Sequence, residues 1–304
     1  MLAADDFDRQ AYDPAGAYPL VPGAPRLTQA RCELLKTVVA VDQSGERRTL
    51  SMPHERPLTV FVDRQEIVTL MTLGVCPEWL VLGWLLNQRL VGRVQDIESI
   101  TVDWDVAAAA VRTQAGVQDL AAKTARRVVT TGCGQGTVYG DLMAHTEGLV
   151  LPPPHQARIS QGTITRIVDA IRLHPSVHRR AGSVHGCALF EGARMLMFVE
   201  DVGRHNAIDT ITGWMALHGV PGGDKVFYTT GRLTSEMVMK AARIGVPIVV
   251  SRNGVTAMGH ELASLLGMAL FGRAAHRHFL CYTGSERFDA EPDGPRSTVR
   301  VVSG

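Results

Sequence analysis

Residues 225–254 read Lys225-Val-Phe-Tyr-Thr-Thr-Gly-Arg-Leu-Thr-Ser-Glu-Met-Val-Met-Lys-Ala-Ala-Arg-Ile-Gly-Val-Pro-Ile-Val-Val-Ser-Arg-Asn-Gly254. Lys225–Thr229 is a short apolar run, as a strand buried on both faces requires. Ser235 then opens a helix as its N-cap, Gly245 closes it, and Pro247 follows. A second apolar strand, Val246–Ser251, ends in the Asn253-Gly254 turn. This is a strand–helix–strand unit, and its neighbours repeat the alternation. Downstream, Thr256 caps a helix ending near Gly267, and strands follow at Met268–Phe271 and Phe279–Tyr282. Upstream, Asn206–Leu217 carries Ile208, Ile211 and Met215 on one helical face, with Gly219 after its end. Before it, Val184–Phe190 and Met195–Val199 form a hairpin turning at Glu191-Gly192. Thr163–Leu173 is a helix whose stripe is Ile164, Ile167, Val168 and Ile171. Such alternation predicts an α/β sheet with helices on both faces.

The first half reads differently. Lys36–Asp42, Leu58–Asp63 and Ser99–Val106 have strand character, and Gln43–Glu46 is a turn. Pro77–Leu90 reads as a helix, with Pro77 suited to its first turn and Leu80, Gly83, Trp84 and Asn87 clustered by spacing. An α+β domain with antiparallel strands is expected over residues 30–129. Residues 1–29, rich in Pro, Ala and Gly, read as a disordered tail. Residues 130–156 read as a mobile cysteine loop and linker, stiffened by Leu151-Pro-Pro-Pro154. The second domain spans 157–288, and 289–304 form a C-terminal tail.

The 304 residues are 45% hydrophobic and 20% charged, with net charge +1. No global field recruits nucleic acid or an anionic membrane. Apolar runs are too short to span a bilayer, and the acidic N-terminus is no secretory signal. Five cysteines without repeated spacing argue against a disulfide framework, so a reducing cytoplasm is the expected location.

One cysteine stands out. In Thr130-Thr-Gly-Cys-Gly-Gln-Gly-Thr137, the thiol of Cys133 lies between glycines, without bulky shielding and on a pliable backbone. Arg126 and Arg127 lie just upstream, and positive charge raises the thiolate fraction. Cys187, Cys76 and Cys281 read as core residues, while Cys32 stays open between core and site. His185 reads as a histidine satisfied beside its strand.

Ligands of α/β sheets bind at the carboxyl ends of strands. There lie Glu200-Asp-Val-Gly-Arg-His-Asn-Ala207, Thr230-Gly-Arg232, Ser251-Arg-Asn-Gly254 and Tyr282-Thr-Gly284. Helix N-termini and arginine forks suit phosphate. The alternative for Arg204, Arg232 and Arg252 is a solvated surface pair; three at strand-to-helix junctions favour a site. His145-Thr146-Glu147 matches the H-x-E of zinc deaminases, but no C-x-x-C supplies the remaining ligands. No zinc is expected. Serine-hydrolase and P-loop signatures are absent.

The set Glu200–Ala207, Thr230–Arg232, Lys240–Pro247, Ser251-Arg252 and Tyr282–Gly284 resembles the formate dehydrogenase accessory sulfurtransferase family, FdhD. With the cysteine run and the helix near Glu78–Leu90, the resemblance spans about Thr59 to Arg287. It implies a cytidine deaminase-like C-terminal domain, a three-layer α/β/α arrangement, beside the smaller α+β N-terminal domain. It also implies a sulfur carrier. Cys133 would accept persulfide sulfur from a cysteine desulfurase and deliver it to the molybdenum or tungsten of a bis(molybdopterin guanine dinucleotide) cofactor. That cofactor is bound as substrate, there is no permanent cofactor, and the recipient is the formate dehydrogenase catalytic subunit. A homodimer is implied as well. Arg204, His205, Asn206, Gly231, Arg232, Ser251, Arg252, Tyr282 and Thr283 would receive the guanine nucleotide end. Two departures stand out. Gly136 replaces the second cysteine of the family's C-G-x-C-G loop, and Thr210 stands where lysine is common. One exposed thiolate suffices to accept and pass on a sulfane sulfur. The competing reading is a non-catalytic cofactor-binding chaperone.

Overall fold

The structure is a computed structural model and describes residues 18–117, 146 and 148–290. Cys133, His145 and Glu147, residues 1–17 of the expected tail and residues 291–304 lie outside the described residues.

The chain from Arg26 to Thr113 forms seven strands, β1 (Arg26–Leu27), β2 (Leu35–Val41), β3 (Arg47–Pro53), β4 (Arg56–Val62), β5 (Gln65–Thr72), β6 (Ile97–Asp103) and β7 (Ala108–Thr113). Helix α1 (Pro77–Asn87) lies between β5 and β6, with Pro77 in its first turn. Five strands make one sheet in the order β1-β6-β7-β4-β5, and β2 and β3 pair separately. The sheet is mixed rather than antiparallel: β4 runs parallel to β7, and β1 to β6. Two connections cause this. The chain leaves β5 through α1 before returning at β6, and β1 adds from outside.

The second half continues with β8 (Ile159–Ser160), α2 (Gln161–Leu173), α3 (Val177–Ala181), β9 (His185–Glu191), β10 (Arg194–Asp201) and α4 (Arg204–His218). It ends with β11 (Lys225–Thr229), α5 (Ser235–Arg243), β12 (Ile248–Ser251), α6 (Ala257–Leu266), β13 (Ala269–Ala275), β14 (His278–Thr283) and β15 (Phe288–Asp289). A six-stranded sheet follows the order β10-β9-β11-β12-β13-β14. Strands β11, β12 and β13 are parallel, and β9 and β14 run against them. The crossovers through α4, α5 and α6 all advance the same way across the sheet. Right-handed connection therefore places these helices on one face. Every residue of β11 and β12 is buried, so the other face is covered too. Helix α2 brings Ile164 and Ile167 to the same core.

Capping follows local chemistry. Ser160 Oγ accepts from Thr163 N at 3.2 Å, and Thr256 Oγ1 from Gly259 N at 3.2 Å. Gly219 ends α4 at φ 60°, a left-handed turn that favours glycine. At α5 the cap is Thr234, one residue earlier than expected, and Ser235 is the first helical residue.

Residues 18–29 are not a loose tail. Tyr18 meets Trp214 edge-on with ring centroids 5.4 Å apart, Val21 N donates to Leu217 O at 2.8 Å, and β1 extends the first sheet. Apolar contact and backbone pairing hold this segment despite its prolines. Part of the expected linker also docks. Buried Arg287 donates to Pro152 O at 2.6 Å, Gly267 O at 2.8 Å and Ala157 O at 3.3 Å. Asp289, assigned to the C-terminal tail, pairs with Arg158 and lies in β15.

Two hydrophobic clusters, one per large sheet, meet at Trp79, which packs against both. There α1 crosses α4. A Cβ on Gly83 would stand 1.7 Å from Asp209 O, and one on Gly213 would stand 2.0 Å from Trp79 O. Only glycine permits this backbone contact. Beside it, Asn87 Nδ2 donates to Asp209 Oδ1 at 2.7 Å, and Lys240 Nζ reaches both Asp209 oxygens at 2.7 and 2.6 Å. Among the described residues, no helix is long and apolar enough to cross a membrane.

Candidate functional site at the carboxyl edge of the second sheet

Strand polarity decides which residues meet. Strands β10, β11 and β12 end on one edge. Strand β9 runs against them, so its first residue, His185, lies there too, paired with Asp201. The turn after β10 is built around Asp201, which is fully buried. Its Oδ2 accepts from Thr72 Oγ1 at 2.5 Å and Leu73 N at 3.1 Å. Its Oδ1 accepts from Gly203 N at 3.0 Å and Asn206 Nδ2 at 2.9 Å. Burial pushes the Asp201 carboxyl up to about 6, against the lowering pull of these donors. Asn206 Nδ2 also donates to Met71 O at 2.7 Å. Asp201 and Asn206 thus fasten the start of α4 to the end of β5. The buried carboxylate of Glu200 accepts from Val177 N at 2.5 Å and His178 N at 3.0 Å, setting α3 beside the edge.

The next two turns lock together. Thr229 Oγ1 accepts from Gly231 N at 3.0 Å, and Ser251 Oγ donates to Gly231 O at 2.6 Å. Ser251 Oγ also accepts from Asn253 N at 2.9 Å, and Asn253 Nδ2 donates to Thr230 O at 3.2 Å. Ser251 has no exposed surface and shapes the turns from within. Arg204, only 6% exposed, lies over Gly231, where a Cβ would come within 2.4 Å of its Cδ. The Arg232 and Arg252 side chains project into solvent from the same two turns.

Arg232 and Arg252 are exposed charges at this edge, while the carboxylates of Glu200 and Asp201 are buried. His205 is 7% exposed, and its Nε2 lies 3.1 Å from Glu236 Oε2. Burial holds the His205 pKa down, with Glu236 opposing. His185 Nδ1 sits 3.4 Å from Thr230 Oγ1. Burial first, then the charges of Arg204, His205, His178 and Arg232, lower its pKa. Cations that disfavour an imidazolium favour an incoming anion. The arginines and the N-terminus of α4 are suited to phosphate.

Of the expected site residues, Arg204, His205, Asn206, Gly231, Arg232, Ser251 and Arg252 come together here. Thr283 does not. Strand β14 is antiparallel, so its end returns to the opposite edge, where Thr283 Oγ1 donates to Met268 O at 2.8 Å. The Tyr282 ring leans back over Gly272, whose Cβ position lies 2.8 Å from Tyr282 Cε2 and 3.1 Å from Asn253 O. Asp201 and Thr230, which lie in the segments expected at this edge, take part through their side chains, and His185 and Glu236 join without having been expected. Their signal is strand direction and helix docking, which no local pattern carries.

The cysteines also sort by place. Cys187 is fully buried, donates to Thr229 Oγ1 at 3.3 Å, and burial pushes its thiol up to about 12. Cys281 is half-buried, and its thiol pKa is raised by burial. Cys32 and Cys76 line a cavity of about 700 Å³ between residues 18–34 and the start of α1. Cys76 packs against the core of the second sheet and also lines this cavity. The carboxyl edge is the better anion site, because it gathers the three junction arginines.

The FdhD/NarQ family profile matches residues 53–289. The chain belongs to the FdhD/NarQ family. Family relatives named "Sulfur carrier protein FdhD" include one from Bacillus subtilis strain 168, 30% identical over 78% of this chain and 89% of its own. Another, from Geobacillus kaustophilus, is 30% identical over 77% of this chain and 88% of its own. A third, from Bacillus pumilus, is 29% identical over 79% of this chain and 91% of its own. A crystal structure described as a formate dehydrogenase accessory protein, from Desulfotalea psychrophila, superimposes with a TM-score of 0.67. It is 24% identical and covers 84% of this chain and 98% of that one, so the two share a fold.

Proposed function

We propose that this chain is a sulfur carrier in formate dehydrogenase maturation. The observation that carries the proposal is the convergence of Arg204, Gly231-Arg232 and Ser251-Arg252 on one edge, in a chain that matches the family over residues 53–289. Cys133 is the carrier. Its thiolate attacks the outer sulfur of a cysteine desulfurase persulfide, giving Cys133–S–SH and releasing the desulfurase thiolate. A thiol reductant then supplies two electrons that break the Cys133 S–S bond, restoring the Cys133 thiolate and releasing the sulfur at the sulfide level to the molybdenum or tungsten of a bis(molybdopterin guanine dinucleotide) substrate bound for the formate dehydrogenase catalytic subunit. On this protein's side, Arg204, Arg232 and Arg252 hold the anionic end of that substrate, and Thr230 and Asn253 offer hydrogen bonds to its polar base. Asp201, Asn206 and Ser251 keep the turns in shape.

The parallel strands β11–β13 with their crossover helices, in a sheet covered on both faces, support the expected deaminase-like reading of residues 157–288. A homodimer working in the cytoplasm completes the proposal. The test is incubation of the full chain with a cysteine desulfurase and cysteine, followed by mass spectrometry. One added sulfur atom on the Cys133 peptide is expected, absent in Cys133→Ala. Retained formate dehydrogenase maturation by Cys133→Ala would instead favour a chaperone that carries no sulfur.

A further inference from the structure

The cavity beside α1 has walls that the carboxyl edge does not explain. Cys32, Cys76 and Arg31 line it, and both cysteines are partly rather than fully buried. Cys32 Sγ lies so close over Gly74 that a Cβ there would come within 2.4 Å of it. Gly74 itself turns at φ 89°, which only glycine adopts freely. Cys76 follows two residues later, and consecutive Cα atoms are about 3.8 Å apart. Its Cα therefore lies within about 7.6 Å of the Gly74 Cα, and both cysteines line the same cavity.

The local backbone is constrained. Cys76 adopts φ 45°, uncommon for a residue with a side chain, directly before Pro77, where extended backbone is preferred. Surroundings must enforce such a conformation. Glu78 is part of them: its Oε1 accepts from Thr28 Oγ1 and from Ala30 N, each at 2.7 Å. This brace ties the segment carrying Cys32 to the start of α1, and so fixes one cysteine relative to the other. Among the described residues, no group of three or more His, Cys, Asp or Glu side chains is placed to hold a metal ion. Two thiols on the wall of one cavity support thiol–disulfide exchange.

We propose that Cys32 and Cys76 form a dithiol site that exchanges with small anionic disulfides entering this cavity. Arg31 at the wall favours both a thiolate and a carboxylate-bearing reagent. One protein thiolate attacks a sulfur of the reagent RS–SR. A protein mixed disulfide forms and RS⁻ leaves. The second protein thiolate then attacks the protein sulfur of that mixed disulfide, closing Cys32–Cys76 and releasing the second RS⁻. The protein loses two electrons and two protons, and the reagent takes both and leaves as two thiols. The closed bridge would fasten residues 18–34 covalently to α1. The site needs neither the Cys133 loop nor the carboxyl edge.

The test equilibrates the full chain, and its Cys133→Ala form, in mixtures of oxidised and reduced glutathione. Samples are quenched in acid, alkylated, digested and mapped by mass spectrometry. A joined Cys32–Cys76 peptide pair is expected in both forms, growing with the oxidised share and accompanied by a higher Tm. In Cys32→Ser, Cys76 should carry glutathione instead, and in Cys76→Ser, Cys32 should. Full alkylation of both residues at every ratio would overturn the proposal. So would separate mixed disulfides without a bridge, or a bridge from either residue to another cysteine. The readout involves neither sulfur carriage nor nucleotide binding, so its failure leaves the proposed function standing.

Discussion

Gly231 lies directly beneath Arg204, so that a Cβ at residue 231 would stand 2.4 Å from Arg204 Cδ and 3.1 Å from its Cβ. The arginine comes from the start of α4 and the glycine from the turn after β11. Their fit sets where the guanidinium points.

Gly231→Ala should therefore displace Arg204 rather than unfold the protein. The expected loss in guanine nucleotide binding is about tenfold, roughly 1.4 kcal/mol, within the range of a lost charge-assisted hydrogen bond. Calorimetry with GDP beside a thermal melt checks this. Unchanged binding by a folded variant would place Arg204 outside the ligand site.

Arg232 and Arg252 project from adjoining turns and should act on the same ligand. Replacing either with alanine should weaken GDP binding by about 1–3 kcal/mol and leave Tm nearly unchanged, since both are exposed. Neither change should stop persulfide loading on Cys133. Wild-type affinity in both variants would make these arginines surface residues.

Asp201 predicts a pH dependence with a definite sign. Its folded pKa, raised by burial to about 6, lies above the ordinary value of 3.8. Its contribution to stability is full below pH 3.8 and is lost as pH rises through 6. The shift corresponds to about 3 kcal/mol. His174, His185 and His205 oppose it, because burial lowers their pKa and favours the folded state as pH rises. The comparison is thus wild type against Asp201→Asn, by urea unfolding from pH 4 to 7.5. The stability advantage of wild type should shrink over that range. A constant difference would mean that Asp201 does not titrate there.

The buried Asp209–Lys240 pair should be costly to break singly. Lys240→Met leaves a buried carboxylate with Asn87 as its remaining described partner and should cost about 3–5 kcal/mol. Asp209→Leu with Lys240→Met should recover most of that. Chemical denaturation of the three proteins decides. A double variant as unstable as the single one would show that packing, not charge, is at stake.

Much of the second half was legible because its signals are local. Lys225–Thr229 is a strand with the expected ends, and Thr256 and Gly267 bound α6. What was missed depends on distant partners. Strand β7 begins with three alanines, which carry no β-branched signature, and it forms because β4 and β6 flank it. Helix α3 is too short for periodicity and exists where Glu200 caps it. The arginine turns could be placed on one edge from the strand pattern alone. Thr283 could not, because the antiparallel course of β14 leaves no mark in its residues. His185 reaches the carboxyl edge for the same reason, because β9 runs against β10 and β11.

The glycine crossing of α1 and α4 bears on how a large ligand would be received. Where main chain rests on main chain at Gly83 and Gly213, no layer of side chains is left to slide or re-pack, which is how packed helices normally shear. The Asn87–Asp209–Lys240 bonds pin the same joint. The two sheets then behave as a single block. A nucleotide arriving at the carboxyl edge meets an anvil already in position, not jaws that close around it, and its affinity should carry little of the cost of rearranging the protein.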